Sequence, residues 1–208
     1  MRALLLAAGR GTRLRPLTDS VPKCLVEING RPLLDYWIEL LCGGGIVEIL
    51  INLHHLPDKV RSYVERCRYP VRITTAYEET LLGTGGTLLE NRDFFRGEPL
   101  VLVHADNLSY FDLRAFVRQY EQRERGIEIT MLTFDTAEPE ACGIVELNER
   151  GVVVAFHEKV LHVGAIRSSE YLPAICLTTS TASSAVHLLC LPEGFFLIRN
   201  SECRPPAQ

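Results

Sequence analysis

This 208-residue chain contains, from Leu4 to Lys23, the segment LLLAAGRGTRLRPLTDSVPK, in which an apolar run meets a loop of glycine and basic residues. The apolar run extends from Ala3 to Ala8. Such a run, ended abruptly by Gly9, predicts a buried strand of a parallel sheet. The glycine- and arginine-rich loop that follows indicates a site for phosphate groups.

The residue types in this loop suit the binding of an anion. Gly9 and Gly11 permit positive φ angles and let backbone N–H groups approach an anion closely. Arg13 and Lys23 add two positive charges, and arginine can contact two phosphate oxygens at once. The spacing is not GxGxxG, because Leu14 stands where the third glycine would be, and no GK[ST] follows as in a P-loop. A basic strand-to-helix turn that binds no ligand is the alternative interpretation.

The segment LAAGRGTRLRPLT, followed by Pro22 and Lys23, resembles the signature of the sugar-phosphate nucleotidyltransferases, most closely the mannose-1-phosphate guanylyltransferase-like branch. The resemblance extends over residues 1–159. It implies an α/β fold with a Rossmann-like, mostly parallel sheet flanked by helices, the glycosyltransferase-A-like nucleotidyltransferase fold. It also implies transfer of a nucleoside monophosphate from a nucleoside triphosphate to a sugar 1-phosphate, with Mg²⁺ as cofactor and pyrophosphate as the second product.

The resemblance assigns roles to individual residues of this chain. Arg13, Lys23 and Asp106 would be catalytic, and Asp106 would also be the ligand of Mg²⁺. The implied nucleotide-binding residues are Leu6, Ala7, Ala8, Gly9, Gly11, Thr12, Glu78 and Gly83, and the implied sugar-phosphate-binding residues are Gly143, Glu158 and Lys159.

Beyond the loop, the spacing of apolar residues predicts an alternation of helices and strands. Helices are expected at 31–41, 57–67 and 112–123, and strands at 46–53, 71–76, 99–104 and 127–134. This alternation predicts a parallel sheet with right-handed crossovers, and ligands of such sheets bind beyond the carboxyl ends of the strands. We therefore expect the Gly9 loop and the segments after Ala76 and His104 at one edge of the sheet.

The segment YEETLLGTGGTLL, residues 77–89, contains a second glycine turn that opens a predicted helix. From the residues alone, an ordinary helix start capped by Thr84 explains it equally well. The resemblance implies that this element covers the nucleotide base and that Glu78, five residues before Gly83, contacts the base edge. An ionised carboxylate only accepts hydrogen bonds, so it suits the N1–H and amino group of guanine, and GTP is favoured. Glu79 would take this role if the loop were shifted by one residue.

Asp106 follows the predicted strand at 99–104. A carboxylate at the end of a central strand, beside a phosphate loop, can hold Mg²⁺ together with phosphate oxygens and water. The short pattern Ala105, Asp106, Asn107 favours another interpretation, an aspartate that caps the next helix or turn. The resemblance favours the metal, because the metal-binding aspartate of the family lies in this DN element.

Residues 142–159, CGIVELNERGVVVAFHEK, alternate apolar and polar positions around a turn at 148–151, which predicts a β-hairpin. The resemblance implies that Gly143 approaches the sugar and that Glu158 and Lys159 contact sugar hydroxyls and phosphate. The alternative is that Glu158 and Lys159 are solvated residues at a strand end.

Residues 160–208 differ in character from the rest of the chain. They contain only six charged side chains, and no aspartate follows Asp135. The family has an asparagine-containing strand that binds the sugar and a second metal-binding aspartate, and neither is recognisable here. We interpret residues 1–159 as the nucleotidyltransferase core domain and residues 160–208 as an atypical or truncated C-terminal tail, for which a shifted reading frame would account.

The missing carboxylate leaves two other functions open. The chain would be a nucleotide or nucleotide-sugar binding module with impaired catalysis, or a nucleotidyltransferase that acts on a phosphate other than a sugar phosphate. Both keep the basic loop at Gly9.

Composition and charge indicate which kinds of partner, and which cellular compartment, this chain is expected to have. The net charge of -4 gives no reason to expect nucleic acid as a partner. The apolar run at residues 3–8 is too short for a signal peptide, and no segment reaches the length of a membrane span. The seven cysteines are scattered without a CxxC pair, so neither a disulfide framework nor a zinc site is indicated. We expect a cytoplasmic protein, and homo-oligomerisation is left open.

Overall fold

The computed structural model describes residues 1–133, 143–158, 169–171 and 175–178. The strands are β1 (Arg2–Leu6), β2 (Glu27–Ile28), β3 (Arg31–Pro32), β4 (Glu48–Leu53), β5 (Arg72–Tyr77), β6 (Leu100–His104), β7 (Ile129–Met131), β8 (Gly143–Leu147), β9 (Val153–Glu158), β10 (Ser169–Tyr171) and β11 (Ile175–Thr178). The helices are α1 (Leu17–Ser20), α2 (Leu33–Gly43), α3 (Pro57–Arg66), α4 (Gly83–Glu90), α5 (Arg92–Phe95) and α6 (Leu113–Glu121), with 3₁₀ turns at Thr12–Leu14 and Lys23–Leu25.

The central sheet has the strand order β5-β4-β1-β6-β11-β7. Strands β5, β4, β1 and β6 run parallel, and β11 is antiparallel to both β6 and β7. The predicted Rossmann-like, mostly parallel sheet is therefore confirmed. Its parallel part contains the strands whose carboxyl ends carry the predicted nucleotide and metal residues.

Strand β1 lies in the middle of the sheet because its side chains can be buried on both faces. Ala3, Leu4 and Leu5 are completely buried. Leu4 pairs in register with Leu50 of β4 and Leu102 of β6, so a row of leucines crosses three strands. An apolar run without polar alternation is what a strand covered on both faces requires.

Each face of the sheet is covered by its own apolar layer. Helices α2, α3 and α6 cover one face, and α4, α5 and the β8–β9 hairpin cover the other. The first layer includes Leu5, Leu34, Trp37, Ile51, Val60, Val103 and Phe116. The second includes Leu4, Leu50, Leu88, Phe95, Leu102, Val145 and Val153. The two layers leave the carboxyl edge of the strands as the place where polar loops can gather.

The helix predicted from Arg31 begins two residues later, at Leu33. Arg31 and Pro32 pair with Glu27 and Ile28 as a two-stranded ladder, and this pairing keeps them extended. This short, local pairing therefore determines where α2 begins. The spacing of apolar residues in the sequence does not reveal it.

The predicted hairpin is present as β8 and β9, joined by a turn in which Asn148 Oδ1 accepts hydrogen bonds from the N–H groups of Arg150 and Val152. Two strands from the region 160–208 pair with strands of the predicted core: β10 pairs with β8, and β11 lies between β6 and β7. The domain boundary at residue 159 stays a prediction.

Candidate active site

Four parallel strands bring the predicted segments to one edge of the sheet. Strands β1, β4, β5 and β6 end at Leu6, Leu53, Tyr77 and His104. The Gly9 loop follows β1, the segment from Glu78 follows β5, and Asp106 follows β6. The amide of Ala105 donates to the carbonyl of Leu6 at 3.0 Å. This hydrogen bond joins the end of β1 to the segment that carries Asp106.

Gly11 determines the shape of the loop after β1. Its φ of 61° lies in the left-handed region, and a Cβ there would stand 2.9 Å from Thr18 Cγ2 and 3.2 Å from Lys23 Cβ. The Gly11 carbonyl accepts hydrogen bonds from the Thr18 hydroxyl at 2.8 Å and from the Leu14 N–H at 2.9 Å. This position therefore requires glycine, whereas a Cβ at Gly9 would meet no atom within 4 Å.

Lys23 and Asp106 form an ion pair at the mouth of this loop. Lys23 Nζ donates to Asp106 Oδ2 at 2.8 Å, and the two side chains are 26% and 42% exposed. Helix α6 is capped by Asp112, whose Oδ1 accepts from the Ala115 N–H at 3.0 Å. Asp106 is thus not the helix cap that its sequence context alone favours, and it faces a basic residue of the phosphate loop.

Helix α2 fixes the segment that carries Asp106. The buried indole of Trp37 donates its Nε1–H to the carbonyl of Asn107 at 2.8 Å. One neighbour of Asp106 is held by this contact, and the other, Ala105, is held by the bond to β1 described above. The metal-binding candidate therefore stands on a segment anchored at both sides.

Arg13 and Thr12 lie in the exposed 3₁₀ turn of the same loop. The Arg13 side chain is accordingly exposed to solvent. Lys23 lies in the second 3₁₀ turn, after α1, so both basic residues belong to the connection between β1 and β2.

Glu78, predicted to contact the nucleotide base, is 5% exposed. Its Oε1 accepts hydrogen bonds from Asn52 Nδ2 at 2.9 Å and from the Thr87 hydroxyl at 2.5 Å, and its Oε2 accepts from the Leu82 N–H at 3.2 Å. Both oxygens of Glu78 are therefore engaged by groups of the protein itself. Glu79, the next residue, is exposed, so it stays a candidate for the contact with the base.

Gly83 begins helix α4 with a φ of 71°. The residue before it, Leu82, occupies the N-cap position without a side-chain cap, so the alternative of a Thr84-capped helix start is wrong. Beside this turn lies a cavity of about 460 Å³, lined by Ala76, Tyr77, Glu78, Glu79, Thr80, Leu82, Glu90 and Asn91.

Asn52, in β4, belongs to the site although the sequence does not predict it. Its Oδ1 accepts hydrogen bonds from the N–H groups of Ala7 at 2.7 Å and Ala8 at 3.3 Å. These two amides of the predicted nucleotide-binding set are therefore engaged by the protein itself. The available signal was one amide side chain within the apolar run from Ile49 to Leu53.

Two histidines after β4 also contact the loops. His54 Nδ1 donates to the carbonyl of Glu78 at 2.9 Å, and His55 Nε2 donates to the carbonyl of Thr18 at 2.8 Å. Because Nδ1 of His54 carries the hydrogen, its Nε2 accepts from Arg10 at 3.4 Å. Neither ring has a role that the sequence predicts.

His104 ends β6 beside the ion pair. Burial lowers its pKa, the positive charge of Lys23 lowers it further, and the negative charge of Asp106 opposes both. The imidazole is therefore neutral at neutral pH and adds no third positive charge to the site.

The residues predicted to bind the sugar phosphate are only partly described. Gly143 and Glu158 pair with each other in register at the open end of the β8–β9 hairpin. Lys159 lies outside the described residues. Their contacts with a sugar phosphate stay predictions.

Asp106 is the carboxylate that would hold the implied Mg²⁺. Among the described residues no group of three or more histidine, cysteine, aspartate or glutamate side chains could hold a metal ion. Mg²⁺ typically takes one or two protein carboxylates and completes its shell with substrate phosphates and water. The half-exposed carboxylate of Asp106, next to a phosphate loop, fits that mode of binding.

A doubly covered parallel sheet with a glycine loop, a basic residue and a carboxylate at its carboxyl edge is typical of α/β proteins that bind ligands beyond the carboxyl ends of their strands. The family model described as "Nucleotidyl transferase" matches residues 2–171. The chain belongs to this nucleotidyltransferase family. The match extends past Lys159, where the resemblance seen in the sequence ends.

Similar proteins carry different activities in their names. The chain is 31% identical over 173 residues to a UTP–glucose-1-phosphate uridylyltransferase of Synechocystis, covering 76% of this chain and 44% of the relative. It is 34% identical over 166 residues to the mannose-1-phosphate guanylyltransferase catalytic subunit beta of Dictyostelium discoideum, covering 76% of this chain and 45% of the relative. The chain thus spans less than half the length of these relatives.

A solved structure shares the fold. A proposed glucose-1-phosphate thymidylyltransferase from Bacillus anthracis superimposes with a TM-score of 0.78 at 23% sequence identity, over 92% of this chain and 75% of that one. The glycosyltransferase-A-like fold implied by the sequence is thereby confirmed. In the described part of the chain, none of the helices has the length and apolar character needed to cross a bilayer.

Proposed function

We propose that this chain binds a nucleoside triphosphate and a sugar 1-phosphate, with GTP favoured, and transfers the nucleoside monophosphate to form a nucleotide sugar. The observation that carries the proposal is the contact between Lys23 of the glycine loop and Asp106 after β6. It joins a basic residue and a metal-binding candidate beside a loop whose Gly11 cannot be replaced without strain.

The reaction is an in-line displacement at the α-phosphorus of the triphosphate. An oxygen of the sugar phosphate forms the new P–O bond, and the bond to pyrophosphate breaks, so the pyrophosphate leaves with the electron pair. The attacking phosphate is already anionic, so the protein needs no side-chain base and acts by positioning and charge neutralisation.

Each basic residue has a place in this scheme. Arg13 neutralises the leaving pyrophosphate, Lys23 the α-phosphate, and Lys159 the sugar phosphate. Asp106 would hold Mg²⁺, which would supply further neutralisation of negative charge. The Lys23 ammonium lies 2.8 Å from Asp106 Oδ2, so the group proposed to neutralise the α-phosphate and the candidate metal ligand are side by side.

The preference for GTP rests on the carboxylates after β5. Either Glu78 or Glu79 can accept hydrogen bonds from the N1–H and amino group of guanine, and neither can donate to the carbonyl groups of thymine or uracil when ionised. Glu78 is buried and engaged, whereas Glu79 is exposed at the 460 Å³ cavity. Contact with the base therefore requires Glu79, or release of Glu78 from its partners.

A binding module without turnover is the second candidate. It is favoured by one observation: residues 136–208 contain no aspartate to serve as the second metal ligand that the resemblance implies. A nucleotidyltransferase for a non-sugar phosphate uses the same loop and differs only in the acceptor. The cytoplasmic compartment and the oligomeric state stay predictions.

Pyrophosphate release tests these functions directly. The purified chain is incubated with Mg²⁺, each of four nucleoside triphosphates and a panel of sugar 1-phosphates and alditol phosphates. We expect release with one nucleotide and one acceptor, and loss of at least about 100-fold in Asp106→Asn. Asp112→Asn is the matched control, since it changes a helix cap six residues away.

The outcomes separate the candidates. Release that depends on Asp106 and on a sugar 1-phosphate supports the transferase, and release with an alditol phosphate alone supports the other acceptor class. Nucleotide binding measured by calorimetry without any release supports the binding module.

A further inference from the structure

A buried amide connects the two halves of the candidate nucleotide site. Asn52 is the fifth residue of β4 and pairs in register with Leu6 of β1 and Ala76 of β5. It is 3% exposed and is flanked by the fully buried Ile51 and Leu53. Burial of an amide among aliphatic side chains is unfavourable unless its hydrogen bonds are satisfied.

All four hydrogen-bonding positions of this amide have partners. The carbonyl oxygen accepts from the N–H groups of Ala7 and Ala8, and the NH₂ group donates to Glu78 Oε1 at 2.9 Å and to Thr87 Oγ1 at 3.3 Å. Only this orientation of the amide works, because backbone N–H groups cannot accept and a carboxylate cannot donate.

The connection continues from Glu78 to the glycine turn. Thr87 donates its hydroxyl hydrogen to Glu78 Oε1, and Oε2 of the same carboxylate accepts from the N–H of Leu82, directly before Gly83. Three buried side chains, Asn52, Glu78 and Thr87, therefore link the start of the phosphate loop to the start of α4. We call them the buried polar link.

Strand order explains why β4 supplies the central member. β4 lies between β1 and β5, so a side chain at its carboxyl end can reach the segments that follow both. We propose that Asn52 is a positioning residue that sets the phosphate loop and the base-binding segment at one spacing, and so determines which nucleotide base is accepted. This inference rests on the proposed function, because it concerns the nucleotide of that site.

The chemistry of the link predicts what each substitution does. Asn52→Asp keeps the shape of the side chain but removes both N–H donors and places a second carboxylate against Glu78. Thr87→Val leaves the hydrogen bonds of Asn52 with Ala7 and Ala8 in place but removes the hydroxyl that donates to Glu78. Thr130→Val is the matched control, because Thr130 is equally buried but lies in β7, beyond β6 and β11.

The experiment is calorimetric titration of the four proteins with GTP, ATP, UTP and dTTP in the presence of Mg²⁺. We expect the wild type to prefer one nucleotide. Asn52→Asp should bind that nucleotide at least about tenfold more weakly and show a smaller affinity ratio to the others. Thr87→Val should change in the same direction, and Thr130→Val should match the wild type.

The affinity ratio distinguishes positioning from a merely structural role. A structural role lowers the unfolding midpoint and leaves the ratio between nucleotides unchanged in the folded protein, and that result overturns the inference. If Asn52→Asp does not fold, the ratio of nucleotide affinities measured for Thr87→Val decides between positioning and a structural role. A wild type that binds no nucleotide overturns the proposed function, and the inference with it, whereas a selective wild type with unchanged variants overturns the inference alone.

Discussion

At the scale of single residues, the two glycines of the phosphate loop differ in what they contribute to the protein. Gly11 has a left-handed backbone and close neighbours, and Gly9 has neither. The sequence shows two equivalent glycines, because the requirement for glycine depends on φ and on Thr18, which folds back to donate its hydroxyl to Gly11.

Gly11→Ala should therefore lower the free energy of unfolding by about 1–2 kcal/mol or more, since the Cβ adds a steric contact to the strained φ. Gly9→Ala should change it by less than about 0.5 kcal/mol. Urea denaturation of both variants measures the difference. Equal losses would show that the loop does not have the Gly11 conformation described here.

The ion pair between Lys23 and Asp106 should affect how tightly the free protein binds a divalent cation. The ammonium occupies Asp106 Oδ2, so it competes with a cation for the same carboxylate. Lys23→Ala should increase the affinity of the free protein for Mn²⁺, used as a probe for Mg²⁺, by about two- to fivefold, the range expected for a half-exposed ion pair.

Mn²⁺ binding is measured by electron paramagnetic resonance without nucleotide. Lys59→Ala is a suitable control, since it removes one lysine charge whose ammonium donates to the carbonyl of Ser20 and not to a carboxylate. Weaker Mn²⁺ binding in Lys23→Ala would contradict the competition.

At the scale of elements, α2 supports the site through one hydrogen bond at its buried face. Trp37→Phe removes the N–H that holds the Asn107 carbonyl and leaves that carbonyl without this donor. We expect a loss of about 1–3 kcal/mol in unfolding free energy and a roughly tenfold loss in pyrophosphate release, because Asp106 is displaced. Tyr36→Phe is the matched control, since it removes the bond to the Ile28 carbonyl, away from the site.

Strand β6 makes the stability of the fold depend on pH through His104. Its folded-state pKa is lowered, mainly by burial, so the unfolded chain binds the proton more tightly. The unfolding free energy should therefore fall as the pH drops below about 6.5, by at most about 1.4 kcal/mol per pH unit. Urea denaturation at pH 7.5, 6.5 and 5.5 measures this slope, and His104→Gln should reduce it.

The elements were largely predictable, and their contacts were not. Hydrophobic periodicity locates α3 and β4 within two residues of the observed bounds, because burial dictates the pattern. The predicted start of α2 differs from the observed one because a local hairpin keeps Arg31 and Pro32 extended, and apolar spacing carries no signal for that pairing. The role of Asn52 is not predictable for a different reason: its partners Ala7 and Glu78 are far away along the chain.

At the scale of the whole molecule, the region after residue 159 contributes to the sheet. β11 fills the position between β6 and β7 and pairs antiparallel with both. The boundary predicted at residue 159 stays a prediction, and the sequence gives no local signature for the pairing of β11 with distant strands.

Truncation measures the contribution of β11. A chain that ends at residue 178 keeps β11, and one that ends at residue 158 leaves β6 and β7 each without a partner on that side. We expect the shorter chain to unfold at lower urea concentration and to aggregate more, since exposed strand edges recruit other chains. Equal midpoints would support an independent core at residues 1–159.

The position of Trp37 has a practical consequence. The chain contains one tryptophan, and its indole bonds to the residue next to Asp106. Tryptophan fluorescence, excited at wavelengths that the seven tyrosines do not absorb, therefore comes from one indole, which is bonded to the residue next to the metal-binding candidate. A shift of its emission on adding nucleotide or Mg²⁺ would give an optical titration of the site in the unlabelled protein.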